Sequence, residues 1–247
     1  MSVYRKTLVV VILILVLNYL LTLHPAATIQ LGLLEVFFNI FGVLYAIIIG
    51  FAIYVVLDNY NHIKSYIDCE INELQDLRDY LIYVDEQEDL RKEIKAKIKK
   101  YVEFVIHEEW PAMESYKKID MDTPPIIYEI MVAINKIKVN NPSDQVALEK
   151  LIGSVAGITT YRTNRLSASL ERLPMLMRHL IAILSAFIVL SFTLIPIENF
   201  WVNMGLNAIS GFGISLIYFI IEDLDYPFGG VWSIKPEAFE ELMKKLD

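Results

Sequence analysis

The chain has 247 residues, of which 55% are hydrophobic, and its formal net charge is −8 at pH 7. This negative charge argues against a nucleic-acid partner, because nucleic-acid-binding proteins present a basic face to the phosphates. The single cysteine, Cys69, excludes an intrachain disulfide.

Four apolar runs are each long enough, or nearly so, to cross a hydrocarbon layer that requires about 20 helical residues. The predicted spans are residues 7–23, 29–57, 176–195 and 200–221. The short links within each pair of spans contain no Lys or Arg, whereas basic residues are concentrated in residues 58–174 and after the last span. The positive-inside rule therefore predicts a multi-pass protein of the inner or plasma membrane, with both termini in the cytoplasm. Alternatively, the first run is a cleaved signal peptide, which would leave three spans.

The second span carries two rows of side chains at helical spacing. Gly42, Ala46 and Gly50 recur every four residues, a pattern that lets helices pack closely. The other row is apolar and mostly aromatic, and it consists of Phe37, Phe41, Tyr45 and Ile48. Such a row either packs against lipid and other helices or, where several subunits surround an axis, forms the hydrophobic constriction of a pore.

Two carboxylates lie on the predicted outer side of the membrane. Glu35 is about a turn and a half inside the second span, and Glu198 lies in the link between the third and fourth spans. A carboxylate within a span indicates a cavity, a partner or an ion path, although Glu35 can also reach the outer surface. Rings of acidic side chains favour cations at a channel mouth, so the two residues are candidates for an outer charge filter.

Residues 58–174 predict a helical cytoplasmic domain. One apolar stripe at helical spacing runs from Ile71 to Val84 and another from Leu90 to Val105, and further helices are predicted at about 126–139 and 144–172. We expect these helices to extend the second and third spans as a stalk. The predicted fold is an all-α membrane protein in which hairpins 1–57 and 175–222 flank this domain. The remaining residues, 223–247, form a cytoplasmic tail.

The last span ends in three carboxylates and a Pro-Phe-Gly turn, consisting of Glu222, Asp223, Asp225, Pro227, Phe228 and Gly229. Acidic groups at a helix C-terminus oppose the negative end of the helix dipole, so they require a compensating cation. Arg162 and Arg165 are the predicted partners, with Arg172 and Arg178 as further candidates. Calcium is an alternative that we do not favour, because it takes about six to eight oxygen ligands and only three carboxylates are evident. No cofactor is therefore predicted.

Enzyme chemistry has little support in the sequence. His107 and Glu108 resemble the start of a zinc-protease motif, but no second His follows four residues after the first. An intramembrane enzyme using Glu35 with Asn39 would need a polar cavity, which the surrounding Val, Ile and Phe residues do not indicate. We predict a protein that is not an enzyme.

Several short motifs, in their order and spacing, resemble the bestrophin-like family of membrane proteins, distant relatives of the bestrophin ion channels. The motifs are Glu-Trp-Pro-Ala-Met at 109–113, Arg-Thr-Asn-Arg-Leu at 162–166, Leu-Asp-Tyr-Pro-Phe-Gly at 224–229 and Ile-Lys-Pro-Glu-Ala-Phe at 234–239. The resemblance implies a pentameric ion channel whose pore is lined by the second span. It places Phe37, Phe41 and Tyr45 where bestrophins have an apolar neck. Calcium-sensing bestrophins have an acidic run after Pro-Phe-Gly, whereas this chain continues with Gly230 and Val231.

Two functional hypotheses follow. The first is a homo-oligomeric channel, a pentamer in membrane lipid, that passes inorganic ions, with monovalent cations slightly favoured over chloride. The second is a non-conducting membrane scaffold or sensor whose helical insert binds a cytoplasmic partner.

Overall fold

The computed structural model describes residues 3–23, 31–84, 87–117, 119–195 and 197–246, with the backbone alone for residues 22, 23, 31–35, 37 and 38. These residues form helices and connecting segments without any strand. The α-helices are α1 (Val3–Leu23), α2 (Leu31–Tyr80), α3 (Glu88–Phe104), α4 (Trp110–Glu114), α5 (Pro125–Ile134), α6 (Pro142–Leu170), α7 (Met175–Thr193), α8 (Phe200–Leu224) and α9 (Glu237–Leu246). A 3₁₀ turn (Leu81–Tyr83) follows α2, and a π-helical turn (Val105–Glu109) joins α3 to α4.

Four of these helices are apolar and long enough to cross a membrane, which confirms the predicted all-α class with four spans. The corresponding segments are Val3–Leu21, Asn39–Tyr83, Met175–Thr193 and Phe200–Leu224. The second of them continues well beyond the predicted span, because α2 is one helix of 50 residues. The third span has no such extension. Here α6 ends at Leu170, and α7 begins after its N-cap residue, Pro174. The two helices are not continuous because the residue before a proline is disfavoured in a helix.

The chain divides into two compact units. The first contains α1, the beginning of α2, α7 and α8, and comprises Met1–Asp58, Arg172–Tyr226 and Gly230–Trp232. Within this unit α8 packs against both α1 and α7. Buried asparagines lie between α1 and α8, where the amides of Asn18 and Asn203 approach to 3.5 Å and Nδ2 of Asn207 donates to Oδ1 of Asn203 at 2.7 Å. Polar side chains in a membrane need such partners, because no water is present to satisfy them.

The second unit comprises Asn59–Glu171, Pro227–Gly229 and Ser233–Asp247. Both predicted apolar stripes face its core, in which Leu74, Leu77, Ile94 and Ile98 are fully buried. The predicted helix at 126–139 instead ends at Ile134. The side chain of Gln87 explains this end, because its amide exchanges two hydrogen bonds of 2.9 Å with the backbone of Lys138. This pairing holds the backbone beyond α5 outside the helix.

The long helix α6 begins with a reciprocal cap. The side chain of Asn141 accepts a hydrogen bond from the backbone N–H of Asp144 at 2.9 Å, and the Asp144 carboxylate accepts the N–H of Asn141 at 3.2 Å. Two N–H groups that the helix would leave without partners are thereby satisfied.

Replacing Asn141 with alanine is expected to lower the free energy of unfolding by about 1 kcal/mol, because the N-terminal cap is lost. The unfolding midpoint of the purified protein in detergent measures this effect. The control is Gln145→Ala, which alters an exposed side chain in the first turn of the same helix. Equal midpoints for the two variants would contradict the role of the cap.

Candidate functional site

The membrane part of α2 packs on one side against α7. The hydroxyl groups of Tyr45 and Ser185 are hydrogen-bonded at 3.0 Å, and the rings of Phe41 and Phe187 meet edge to face at 5.9 Å. Tyr45, Ile49, Ala52 and Val56 are buried on this side. The contact between α2 and α7 therefore includes Tyr45, which was predicted to line a pore neck. Phe41 and Ile48 are only partly buried.

A second side of α2 is apolar and is not covered by any described residue of the unit. Its exposed side chains include Ile40, Leu44, Ile47 and Phe51. Leu44 lies three residues after Phe41 and four before Ile48, so these three side chains share one helix face. The role of the predicted row Phe37, Phe41, Tyr45 and Ile48 as a neck stays a prediction, and the side chain of Phe37 lies outside the described residues.

The small residues of α2 are likewise not covered by other described parts of the chain. A Cβ atom added at Gly42 or Gly50 would meet nothing within 4 Å, and Ala46 is exposed. Close helix packing at this row is therefore not supplied by the residues that the structure describes. Of the predicted outer carboxylates, Glu198 is exposed, and the side chain of Glu35 lies outside the described residues.

The carboxylates at the end of α8 each have a separate partner. Glu222 pairs with Lys6 of α1 at 3.3 Å. The carboxylate of Asp223 accepts the backbone N–H groups of Val231 and Trp232 at 2.9 and 3.1 Å. These interactions supply much of the compensation that acidic groups at a helix C-terminus require.

Asp225, the third carboxylate, is buried and accepts the backbone N–H of Leu173 at 2.8 Å. Burial raises the pKa of the Asp225 carboxyl, and the hydrogen bond from Leu173 counteracts part of this shift. Arg178 is 3.7 Å from Asp225. Nearby, the guanidinium of Arg172 lies over the ring of Tyr226, 4.4 Å from its centre, and burial lowers the pKa of Arg172 to about 10.

The prediction that Arg162 and Arg165 compensate this turn is wrong, because their guanidinium groups are bound by Glu70 and Glu109. The three carboxylates also do not fit a shared calcium site, since Glu222, Asp223 and Asp225 are directed to different partners. In the part of the chain that the structure describes, no group of three or more His, Cys, Asp or Glu residues is arranged to hold a metal ion.

Arg165 is the centre of a buried ionic network in the helical unit. Its Nε and Nη2 atoms donate to the two carboxylate oxygens of Glu70 at 2.8 and 3.1 Å, and Nη2 also donates to Glu109 at 2.7 Å. The hydroxyl of Tyr101 donates to Glu70 at 2.6 Å. All four side chains are almost completely buried. The network joins α2, α3, the π-helical turn and α6.

Arg162 completes the charge balance of this network. It donates to the second oxygen of Glu109 at 2.6 Å and to the backbone carbonyls of Asp120 and Asp122 at 3.1 and 3.0 Å. Two arginines thus face two carboxylates, so the network is neutral as a whole. Aromatic rings also contact Arg165, whose guanidinium lies 5.6 Å from the centre of the Phe239 ring.

The ionisation of this network is fixed by its surroundings. Burial alone would lower the pKa of Arg165, but the charges of Glu70 and Glu109 more than offset it, so the pKa is raised. Burial, and then the charge of Glu70, hold the pKa of Tyr101 well above its ordinary value. Tyr101 therefore remains a hydrogen-bond donor at neutral pH, and Arg165 remains charged.

Sequence reasoning identified the two arginines but not Glu70, Tyr101 and Glu109 as their partners. One signal was present in the sequence. Glu70 lies on the same helical row as Ile63, Ile67 and Leu74, which are all buried. A carboxylate on a buried apolar row needs a cationic partner, so the position of Glu70 on this row of α2 could have indicated a buried ion pair.

Comparisons with known proteins agree with this architecture. A sequence profile of the Bestrophin-like domain matches residues 7–239. No curated protein sequence matches the chain.

Among solved structures, two variants of a bacterial bestrophin homologue from Klebsiella pneumoniae are similar to this chain. One has a TM-score of 0.77 at 10% identity, covering 100% of this chain and 99% of the homologue. The other has a TM-score of 0.75 at 11% identity, covering 100% and 98%. A crystal structure described as a membrane protein has a TM-score of 0.68 at 13% identity and covers 99% and 97%. At these identities the similarity shows the fold.

Proposed function

Because the chain belongs to the bestrophin-like family, we propose that it is an oligomeric channel for the passive flux of ions, with an apolar neck on α2. The observation that carries this proposal is the uncovered membrane part of α2. Its apolar face around Leu44 and its small row at Gly42 and Gly50 both lack a partner among the residues that the structure describes. A pore-lining helix needs one side that faces the pore axis and another side that contacts the adjacent subunit.

The neck in this proposal is the face centred on Leu44. Phe41 and Ile48, from the predicted row, border it on the side of α7, and Phe37 extends it towards the outer end. Ile40 and Ile47 border it on the exposed side. We assign Tyr45 to holding α2 against α7, because its hydroxyl is bonded to Ser185. Apolar constrictions of this kind control conduction by excluding water.

The proposed assembly is a pentamer in an inner or plasma membrane, with both termini in the cytoplasm. The acidic side chains of Glu35 and Glu198 favour monovalent cations over chloride at the outer mouth. Calcium has no part in this proposal, because the carboxylates of Glu222 and Asp223 at the end of α8 are bound by Lys6 and by backbone N–H groups.

Two measurements on the same purified protein test the proposal. Light scattering in detergent, with the micelle subtracted, gives the number of subunits, and flux assays in vesicles loaded with potassium chloride give conduction. A pentamer that passes potassium supports a cation channel, and one that passes chloride alone overturns the proposed selectivity. A monomer or dimer without flux overturns the channel and supports the scaffold or sensor instead.

A further inference from the structure

The segment after the Pro-Phe-Gly turn is held in place by Asp223. The two carboxylate oxygens of Asp223 accept the N–H groups of Val231 and Trp232, and the N–H of Gly230 donates to the carbonyl of Tyr226 at 3.2 Å. The chain passes so close to Asp223 that a Cβ atom on Gly230 would lie 2.7 Å from Oδ2 and 2.8 Å from the backbone oxygen. A side chain at Gly230 would therefore displace the segment. We call residues 230–232 the clamped loop.

The clamped loop exposes two large apolar side chains. Val231 retains 56% and Trp232 51% of its accessible surface, although the backbone that carries them is fixed. Two adjacent apolar side chains on a fixed backbone form an exposed apolar surface that is unfavourable in water. The loop nevertheless holds an indole ring and an isopropyl group outward.

The neighbours of the clamped loop belong to the spans. Trp232 and Val231 border a small cavity of about 60 Å³ whose other walls include Val3, Tyr4, Leu216 and Ile220. Tyr4 is also exposed, and the next residue along α1 is the exposed Arg5. The loop is therefore continuous with the apolar surface at the ends of α1 and α8, and a basic side chain follows Tyr4 in the sequence.

We propose that the clamped loop is a membrane-interface anchor, in which Trp232 and Val231 enter the headgroup region of the lipid leaflet at this end of α1 and α8. The occupant of the exposed surface is lipid because the loop extends the surface of two spans. Tryptophan and tyrosine are enriched at this depth, where the ring is apolar and the N–H or O–H group remains hydrated. Arg5 adds attraction to anionic headgroups. Asp223 is the positioning residue, since its carboxylate fixes the backbone of the clamped loop beside the ends of α1 and α8.

Tryptophan fluorescence tests the anchor without reference to ion flux. The wild-type protein and Trp232→Phe are placed in vesicles of phosphatidylcholine and phosphatidylglycerol, and the difference between their spectra is the emission of Trp232. We expect this emission to be quenched by lipids brominated close to the headgroup. We also expect it to be shielded from acrylamide in the water. Trp201, which is exposed at the start of α8, remains present in both proteins as an internal reference.

The role of the clamp is tested with Asp223→Ala. This variant is expected to lose the quenching of Trp232 by brominated lipid and to gain quenching by acrylamide. Two results would overturn the anchor. In one, acrylamide alone quenches the emission of Trp232, and in the other, neither quencher does. The first places the ring in water and the second beneath another protein surface. Unchanged lipid quenching in Asp223→Ala would overturn the positioning role of Asp223.

Discussion

Replacing Arg165 with alanine is expected to destabilise the folded protein by about 3–5 kcal/mol, which is the usual effect of breaking a buried ion pair. Arg165 supplies the bonds to both oxygens of Glu70 and one bond to Glu109, all at positions from which water is excluded. Its loss leaves the Glu70 carboxyl group in the core without a cationic partner. Because a domain is stable by only about 5–15 kcal/mol in total, the unfolding midpoint should fall steeply. Thermal unfolding in detergent measures the change.

Two further variants make this prediction specific. Lys92→Ala removes an exposed pair with Glu88 and should leave the midpoint almost unchanged, because surface ion pairs are screened by water. The double variant Arg165→Met with Glu70→Gln removes both charges, while the introduced amide oxygen can still accept the hydroxyl of Tyr101. It should be more stable than Arg165→Met alone, since no unpaired carboxylate remains in that pair. Simple additivity of the two changes would contradict the network.

Replacing Leu44 with serine is expected to raise ion flux on the order of tenfold. Leu44 is the centre of the proposed neck, and a hydroxyl at this position favours water where the leucine side chain excludes it. A barrier that falls by about 1.4 kcal/mol increases the rate about tenfold. Flux of potassium from vesicles that contain equal amounts of protein measures the change.

Leu206→Ser is the matched control for this experiment. Leu206 lies on α8 and retains 49% of its accessible surface, compared with 44% for Leu44, so both substitutions alter a half-exposed leucine within a span. We expect flux through Leu206→Ser to equal that of the unaltered protein. Equal increases in both variants would indicate a general leak and contradict the neck, as would unchanged flux in Leu44→Ser.

The helical architecture could be predicted because periodicity reports which face of a helix is buried. The stripe from Ile71 to Val84 and the stripe from Leu90 to Val105 both face a core, and the four apolar helices match the four apolar runs. Pro174 signalled the break before α7, and the long helix was predicted to end at about residue 172, close to its actual end at Leu170. The tail helix α9 was not predicted, although Phe239 and Leu242 face the core with helical spacing.

Partners could not be predicted in the same way, because periodicity does not show which faces meet. The acidic turn at the end of α8 was identified as a group in need of a compensating cation, and Arg162 and Arg165 were its predicted partners. Their partners are instead Glu70 and Glu109, about 95 and 53 to 56 residues distant along the chain. Glu109 is the last residue of the π-helical turn, and the composition of this turn does not reveal it in advance.

The neutral balance of the buried network has an evolutionary consequence. Losing one of Glu70, Glu109, Arg162 and Arg165 leaves a charge without its partner, whereas replacing a whole pair with apolar residues of similar volume can be nearly neutral. Single substitutions at these positions are therefore expected to be disfavoured by selection, and accepted changes are expected to arrive in pairs. Divergent sequences of the family are accordingly expected to covary at these four positions, so that the charges of the network stay balanced.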